Sequence, residues 1–411
     1  MNILLVHQNY PAQFKHLGPA LARAGHQVVA LTMREQPVNS DNPVKVVIYR
    51  PGRGTTTGVH PWVGDFETKV IRGEACLQAA IKLKEKGFEP QVIVAHHGWG
   101  ESLFLKELWP HANLGIYCEF YYRADGLDVG FDKEFSNLDL AGRSRMRLRN
   151  LSNMVHFEVA VRGISPTQWQ ASTFPSQFRN KIDVIHDGID TDTLVPNPTI
   201  SITLANGLRL QKSNEVITFV NRSLEPYRGY HSFMRALPQM LKAKPNAQVL
   251  IVGDNGVSYG EKPPTGTWKD IFWNEAKLKM DDQMASRVQF LGRVPYDQFL
   301  AILQISTVHV YLTYPFVLSW SLLEAMSVGC AIVASNTQPL HEAIEHNKTG
   351  ILVDFFDYEK IANEVITLLD NPELREGLGQ RARSFAIDHY DLKRVCLPKQ
   401  LAWVESLAKV V

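Results

Sequence analysis

The sequence predicts an α/β protein made of two successive series of parallel βα units, each wound around its own sheet. Three observations carry this. The chain has 411 residues, too many for one ordinary core and suited to two domains of about 200 residues each. Short apolar runs alternate with stretches of helical periodicity, the rhythm of parallel strands covered on both faces. The rhythm fails once, around 191–215, where Pro196 and Pro198 interrupt it, so the connection between the two series is expected there.

The elements follow in order. Residues 3–6 form an apolar run, Asn9, Tyr10 and Pro11 read as a turn, and a helical pattern covers 13–23. Gly25 and His26 then lead into a second apolar run at 28–31. This strand, loop, helix and strand opens a doubly wound sheet. Further strands of that sheet are expected at 92–95, 114–118 and 183–186. The second series starts at 216–220 and continues with strands at 248–252, 288–291, 308–312, 331–334 and 350–353. Helices are expected near 230–242, 296–305, 321–328 and 358–370. Residues 1–195 and 210–388 are thus read as two Rossmann-like domains. The remainder, 389–411, holds a helix at about 392–409 with Trp403 and Leu407 at i,i+4, which is expected to pack back on the first domain. Ligands in such folds bind at the carboxyl ends of the strands, here across a cleft faced by both domains.

Composition excludes several classes. Apolar residues at 45% and charged residues at 21% belong to a soluble globular protein. A net charge of +1 supplies no field that favours nucleic acid, and none is expected as a partner. Cys76, Cys118, Cys330 and Cys396 stand far apart without CxxC spacing. That argues against a disulfide framework or zinc site and for a reducing cytoplasm. The first residues lack the features of a signal peptide, and no apolar run is long enough to span a bilayer. No GxGxxG follows the first strand and no GxxxxGK[ST] occurs, so a dinucleotide enzyme or P-loop ATPase is not indicated. Asp190 and Asp192 spell DxD, but at the exit of the first domain, where a turn or capping role fits better. Arg143, Arg145, Arg147 and Arg149 form a basic cluster on a predicted helix. It reads either as a solvated face or as a surface for an anionic membrane or acidic acceptor.

The most informative stretch is 319–335. It reads as a helix opening at Ser319, stopping at Gly329 and followed by a buried strand. A helix N-terminus gathers unpaired N–H groups and the positive end of the macrodipole, which suits a phosphate. Glu324 lies about one and a half turns inside, where a carboxylate can accept hydrogen bonds from sugar hydroxyls. Pyrophosphate on the helix end and ribose on the carboxylate make a nucleotide site. Arg222 and Arg228 follow a strand and precede a helix, a placement that carries guanidiniums to a strand end.

The ordered set of motifs resembles glycosyltransferase family 4, retaining enzymes of the GT-B fold. The motifs are His96, His97, Gly98, Trp99, Gly100 and Glu101; Asn221 to Gly229, with Leu224, Glu225, Pro226, Tyr227 and Arg228; Phe290 to Arg293; Leu323 to Met326 with Gly329; and Lys348 to Val353. Ile185, His186, Asp187, Gly188, Ile189 and Asp190 are similar to the family's exit from the first domain. The resemblance covers nearly the whole chain. It implies transfer of a hexosyl unit from a nucleoside-diphosphate sugar, uridine being the first expectation for the base, to a hydroxyl of a glycan or lipid-linked acceptor. It implies no essential metal and no cofactor. Polysaccharide biosynthesis is the expected setting, with peripheral contact at the inner face of the membrane an option.

Residue by residue, the resemblance assigns Arg222 and Arg228 to the donor pyrophosphate, Arg228 standing where the family usually has lysine and six rather than five positions on. It assigns Glu324 to the ribose and His96, preferred over His97, to the donor sugar. The backbone of Val317, Leu318 and Ser319 is expected to serve phosphate or sugar. Asn9, Tyr10 and Gln13 lie on the loop that receives the acceptor. Glu101 is read equally as an acceptor contact or as the cap of the next helix. The family's first glutamate would fall at 316, where this chain has Phe316. A phenyl ring accepts no such hydrogen bond, so altered sugar contacts or a core role are implied. Two alternatives share the fold: a nucleotide-sugar epimerase and a non-catalytic sugar-nucleotide binding protein.

Overall fold

The computed structural model describes residues 1–35, 42–135 and 138–410. The chain divides into two compact units, one of Met1–Gly130, Asn137–Gly188 and Lys393–Val411, the other of Phe131–Ser136 and Ile189–Leu392.

Among the described residues, the first unit holds a seven-stranded sheet of β1 (Asn2–Val6), β2 (Gln27–Thr32), β3 (Lys45–Ile48), β4 (Val92–Ala95), β5 (Asn113–Tyr117), β6 (Arg162–Ser165) and β7 (Ile182–Val184). The order is β3-β2-β1-β4-β5-β6-β7 and every pairing is parallel. The order reverses between β1 and β4, the switch point at which such sheets open a crevice beyond their carboxyl ends. Ile3, Leu5, Val28 and Val94 point into one apolar layer, Leu4, Val29, Ile93 and Ile116 into the other. That alternation is what a strand covered on both faces requires.

The second unit opens with an antiparallel hairpin, β8 (Ser201–Thr203) and β9 (Arg209–Gln211). A six-stranded sheet follows: β10 (Val216–Ser223), β11 (Gln248–Asp254), β12 (Val288–Gly292), β13 (Val308–Tyr311), β14 (Ala331–Ser335) and β15 (Ile351–Val353). Its order is β12-β11-β10-β13-β14-β15, again parallel throughout, with the reversal between β10 and β13. Both sheets are therefore doubly wound, as the sequence predicts.

The C-terminal helix, Leu397–Leu407, returns to the first unit. A Cβ on Gly115 would stand 2.6 Å from both Trp403 and Leu407, so β5 admits these side chains only because its central residue is glycine. The Trp403 indole donates to Asp183 at 3.0 Å and Asn113 donates to the carbonyl of Leu407 at 2.8 Å.

Several expectations are corrected. The helix expected over 13–23 is a 3₁₀ turn, Ala12–Phe14, and a separate α-helix, Leu17–Arg23. Phe14, Leu17 and Leu21 are all buried, and that spacing suits either arrangement. The terminal helix begins with a π-turn, Leu392–Cys396. The weakly periodic stretch after 191 contains the β8–β9 hairpin, whose turn is marked by Asn206 and Gly207, the latter at φ +84°. β3 and β6 were not expected, the first a half-buried edge strand, the second interrupted by Gly163 and polar at both ends.

One excursion of the chain stands out. Phe131–Ser136 follows β5 in sequence yet belongs to the second unit. Phe131 packs on Tyr314 and Phe355, with ring centres 5.2 and 5.3 Å apart, and Phe135 on His231 and Trp268 at 5.0 and 5.2 Å. Buried Asp132 accepts from the Tyr314 hydroxyl at 2.9 Å and faces His231 Nε2 at 3.0 Å. Glu134 takes both terminal nitrogens of Arg235 at 2.7 Å.

Candidate active site

The sequence-predicted residues fall at the two switch points. In the first unit His7 follows directly on β1 and His96 on β4. His7 is buried; its Nδ1 accepts the Asn9 N–H at 2.9 Å and its Nε2 faces Gln13 Oε1 at 2.7 Å. The pairing sets one tautomer, Nε2–H donating to the amide. Burial brings the His7 pKa down to about 4, so the ring is neutral at pH 7.

His96 is 1% exposed. Its ring stacks on Trp99 and on Tyr117, centres 4.3 and 5.1 Å away, and meets His7 edge-on at 5.0 Å. Neither ring nitrogen makes a hydrogen bond to a described residue, and Nε2 lies 3.7 Å from the Glu119 carboxylate. Burial pushes its pKa well below the ordinary value, so it too is neutral and offers hydrogen bonds rather than charge. His97 turns away and is held by Asn153 at 2.6 Å.

The glycines beside it serve packing rather than ligand approach. Gly100 has φ +95°, and a Cβ there would stand 2.5 Å from the carbonyl of Lys69, so the turn lies backbone against backbone on the Gly64–Glu85 helix. A Cβ on Gly98 would meet the His96 ring at 3.2 Å.

Glu101 departs from both readings of it. The next helix, Leu105–Leu108, has Phe104 at its N-cap and no side-chain cap, so Glu101 caps nothing. Its side chain is fully buried beside Tyr49, neither oxygen meets hydrogen-bond geometry with another described residue, and burial raises its pKa to about 7 against the pull of Arg72 and Lys69. Tyr10 is corrected as well. It is 2% exposed in the core beside Phe14 and Leu17, with Gly18 lying against its hydroxyl, so it is a core side chain and not an exposed loop residue. Asn9 is exposed, while Gln13 is occupied by His7.

In the second unit β10 ends in Asn221, Arg222 and Ser223, a 3₁₀ turn Pro226–Arg228 follows, and Gly229 starts the Tyr230–Ala243 helix. Gly229 sits at φ +70°, and a Cβ there would lie 2.2 Å from Cβ of Leu312. No other residue fits this turn, which brings the strand–helix junction onto β13. Arg222 is exposed and its guanidinium is not engaged by another described residue. Arg228 also stands at this strand end, but enclosed. It is 7% exposed, and its Nη1 donates to Thr313 Oγ1 at 2.9 Å and toward the carbonyl of Val317 at 3.4 Å. Its Cζ lies 5.1 Å from the centre of the Tyr259 ring and 5.9 Å from that of Phe316. A guanidinium remains charged in this setting.

Beyond β13 the chain runs through Phe316, Val317 and Leu318 to the helix Trp320–Ser327. Ser319 is its N-cap, the hydroxyl accepting from the Ser321 N–H at 3.3 Å. The N–H of Ser319, expected to be available, donates to the Tyr311 hydroxyl at 3.3 Å. Those of Val317 and Leu318 take no partner among the described residues. Gly329, at φ +77°, ends the helix, and β14 follows as expected. Half-buried Glu324 accepts a hydrogen bond from the Tyr296 hydroxyl at 2.7 Å. Phe316 is 3% exposed and packs on Tyr227 and Tyr259, centres 5.2 and 5.0 Å apart, which makes it a core aromatic of this corner.

Sequence reasoning passed over Glu225 and Tyr259. Fully buried Glu225 accepts the backbone N–H groups of Ser258 at 3.1 Å, Tyr259 at 3.3 Å and Gly260 at 3.1 Å. Burial raises its pKa, and those N–H groups work against the rise. Glu225 stands inside a recognised motif, and Gly256 and Gly260 bracket the loop it holds; together they were a readable signal for a shaped loop after β11.

The chain as a whole can now be set beside known proteins. Residues 24–194 match the family model of the Glycosyl transferase family 4 group and residues 203–385 that of Glycosyl transferases group 1. The GDP-mannose-dependent alpha-(1-6)-phosphatidylinositol monomannoside mannosyltransferase of Mycobacterium tuberculosis is 25% identical over 314 residues, covering 71% of this chain and 72% of that one. Another curated relative, 27% identical, is matched over only 46% of its own length. Sucrose-phosphate synthase from Thermosynechococcus elongatus has the same fold, with a TM-score of 0.73 at 17% identity and all of both chains covered. Anabaena HepE, solved in complex with UDP and glucose, has a TM-score of 0.66 at 17% identity, again over all of both chains. Two doubly wound parallel sheets, one matched by each family model, place this chain among the glycosyltransferases of the GT-B fold.

Proposed function

We propose that this glycosyltransferase moves a hexosyl unit from a nucleoside-diphosphate sugar to a hydroxyl of a glycan or lipid-linked acceptor, with retention at the anomeric carbon. The observation that carries the reading is the switch point of the second sheet. Arg222, Arg228, the open N–H groups of Val317 and Leu318 and the N-terminus of the Trp320–Ser327 helix stand on its strand ends, and Glu324 lies farther along that helix. Diphosphate belongs with the guanidiniums and the N–H groups, and the ribose with Glu324. These donors stabilise the charge that develops on the departing diphosphate. A phosphate oxygen of the leaving group accepts the acceptor's proton, so the reading needs no carboxylate pair of hydrolase type. Neutral His96 serves the sugar as a hydrogen-bonding group, and Asn9 serves the acceptor.

The reading assigns no metal or cofactor, and chelator is expected to leave the rate unchanged. Uridine is the first base to test and guanosine the second, the GDP-mannose dependence of the mycobacterial relative keeping the latter in view. Peripheral membrane contact would come from the basic helix Leu140–Arg149, of which Arg143 is paired with Asp125 and Arg149 lies over Tyr122. No helix among the described residues is long and apolar enough to cross a membrane.

A thermal-shift panel of nucleoside diphosphates, followed by hydrolysis and transfer assays with sugars on the best base, tests the reading. A diphosphate that binds the folded protein raises its melting temperature by mass action. Absence of any shift across the panel would refute the donor site. Binding without hydrolysis or transfer over a broad acceptor panel would leave a sugar-nucleotide binding protein instead, and an isomer formed from donor alone an epimerase.

A further inference from the structure

The carboxylate that the family resemblance places at 316 is absent, and the phenyl ring in its stead is enclosed. What faces solvent at this corner is Tyr259, 41% exposed, with its ring 5.0 Å from that of Phe316 and 5.7 Å from that of Tyr227. The loop bearing it is built. Three successive N–H groups converge on the Glu225 carboxylate, the Ser258 and Ser223 hydroxyls meet at 2.7 Å, and a Cβ on Gly260 would stand 3.3 Å from Glu225 Oε2. A carboxylate fully buried to hold a surface loop is a costly arrangement unless the loop's position matters. The Tyr259 ring packs on Phe316 and Tyr227 and lies beside the Arg228 guanidinium, and it is still two-fifths exposed.

We propose that Tyr259 is the specificity-determining contact for the transferred sugar. It acts as a stacking platform for the C–H face of a hexose whose diphosphate lies on the Arg228 side, and its hydroxyl offers a single hydrogen bond. The proposal rests on the donor reading above. An aromatic face rewards a continuous C–H surface and tolerates exchange of equatorial hydroxyls, whereas a carboxylate reads hydroxyl positions directly. Hexoses with an unbroken C–H face, of the gluco type, are the class such a platform takes best.

The test is isothermal titration of the parent, Tyr259→Ala and Tyr259→Phe with UDP, GDP, UDP-glucose and GDP-mannose. For whichever base the parent binds, Tyr259→Ala should keep its affinity for the bare diphosphate within twofold and weaken the sugar conjugate by about tenfold. Tyr259→Phe, which keeps the ring, should stay within about threefold for both. Equal loss of diphosphate and conjugate in Tyr259→Ala would show that the ring acts through Arg228 and overturn the platform. Unchanged affinity for both would remove Tyr259 from the site while leaving the donor reading intact. A parent that binds neither diphosphate would refute the donor reading and the platform with it.

Discussion

Replacing Glu101 by Gln is expected to stabilise the protein in alkaline but not in acidic solution. The Glu101 side chain is wholly buried beside Tyr49, and burial outweighs the opposing pull of Arg72 and Lys69, so the folded state resists its ionisation and its pKa rises from 4.5 to about 7. The unfolded chain ionises near 4.5, the folded chain near 7. Between those values the folded state retains a proton that the unfolded state has lost, and stability falls as pH rises. The full loss is about 3 kcal/mol, at 1.36 kcal/mol per unit, and about 2.5 kcal/mol of it falls between pH 5 and pH 8. Glutamine keeps the shape and cannot ionise, so the variant should lack this slope. For a unit of roughly 200 residues the corresponding gain at pH 8 is about 5–10 °C in melting temperature, with little gain at pH 5. Scanning calorimetry of parent and variant at both pH values measures it, and every other titrating group cancels in the comparison. Parallel pH profiles for the two proteins would refute the argument, since they would mean that Glu101 is solvated or paired in solution.

The remaining expectations concern the second unit and the basic helix. Glu324→Ala should weaken the nucleoside diphosphate about 10- to 100-fold, the range for a hydrogen bond to a charged group, read by titration with bare diphosphate. Arg228→Ala should lower turnover about 100- to 1,000-fold with acceptor KM little changed; a loss confined to acceptor binding would contradict its role on phosphate. Gly229→Ala should cost about 2–4 kcal/mol of stability by urea unfolding, because the new Cβ meets Leu312 in a left-handed turn. Replacing Arg145, Arg147 and Arg149 together by Gln should abolish co-sedimentation with vesicles rich in anionic lipid if that face binds membrane, at about 1 kcal/mol per arginine.

The sheets were legible because their strands are apolar on both faces: 3–6, 92–95 and 331–334 admit hardly any other reading. β3 and β6 were hidden for the opposite reason. Lys45 and Ile48 bracket an edge strand with little buried surface, and Gly163 appears in β6 because a Cβ there would strike Cys118, a long-range constraint that local pattern does not express. The site divides similarly. A helix cap at Ser319, a stop at Gly329 and the carboxylate between them can be read from spacing alone. The enclosure of Arg228, Phe316, Glu101 and Tyr10 cannot, since burial of a polar or aromatic side chain is decided by neighbours distant in sequence. Arg228 meets Thr313 and Val317 across 85 and 89 residues, and the Tyr10 hydroxyl lies against Gly18 on the following helix.

The path of the backbone limits how the molecule can be dissected. Because Phe131–Ser136 is donated to the second unit and Lys393–Val411 to the first, neither unit is a contiguous stretch of sequence, and a clean cut at Gly188 would liberate neither. A recombinant fragment running from Ile189 to Leu392 would bare the aromatic seats of Phe131 and Phe135 on Tyr314, Phe355 and Trp268 and strand His231 without its carboxylate. Supplying the missing hexapeptide through a short linker, or in trans, is therefore the design by which the second unit should first be made to stand alone.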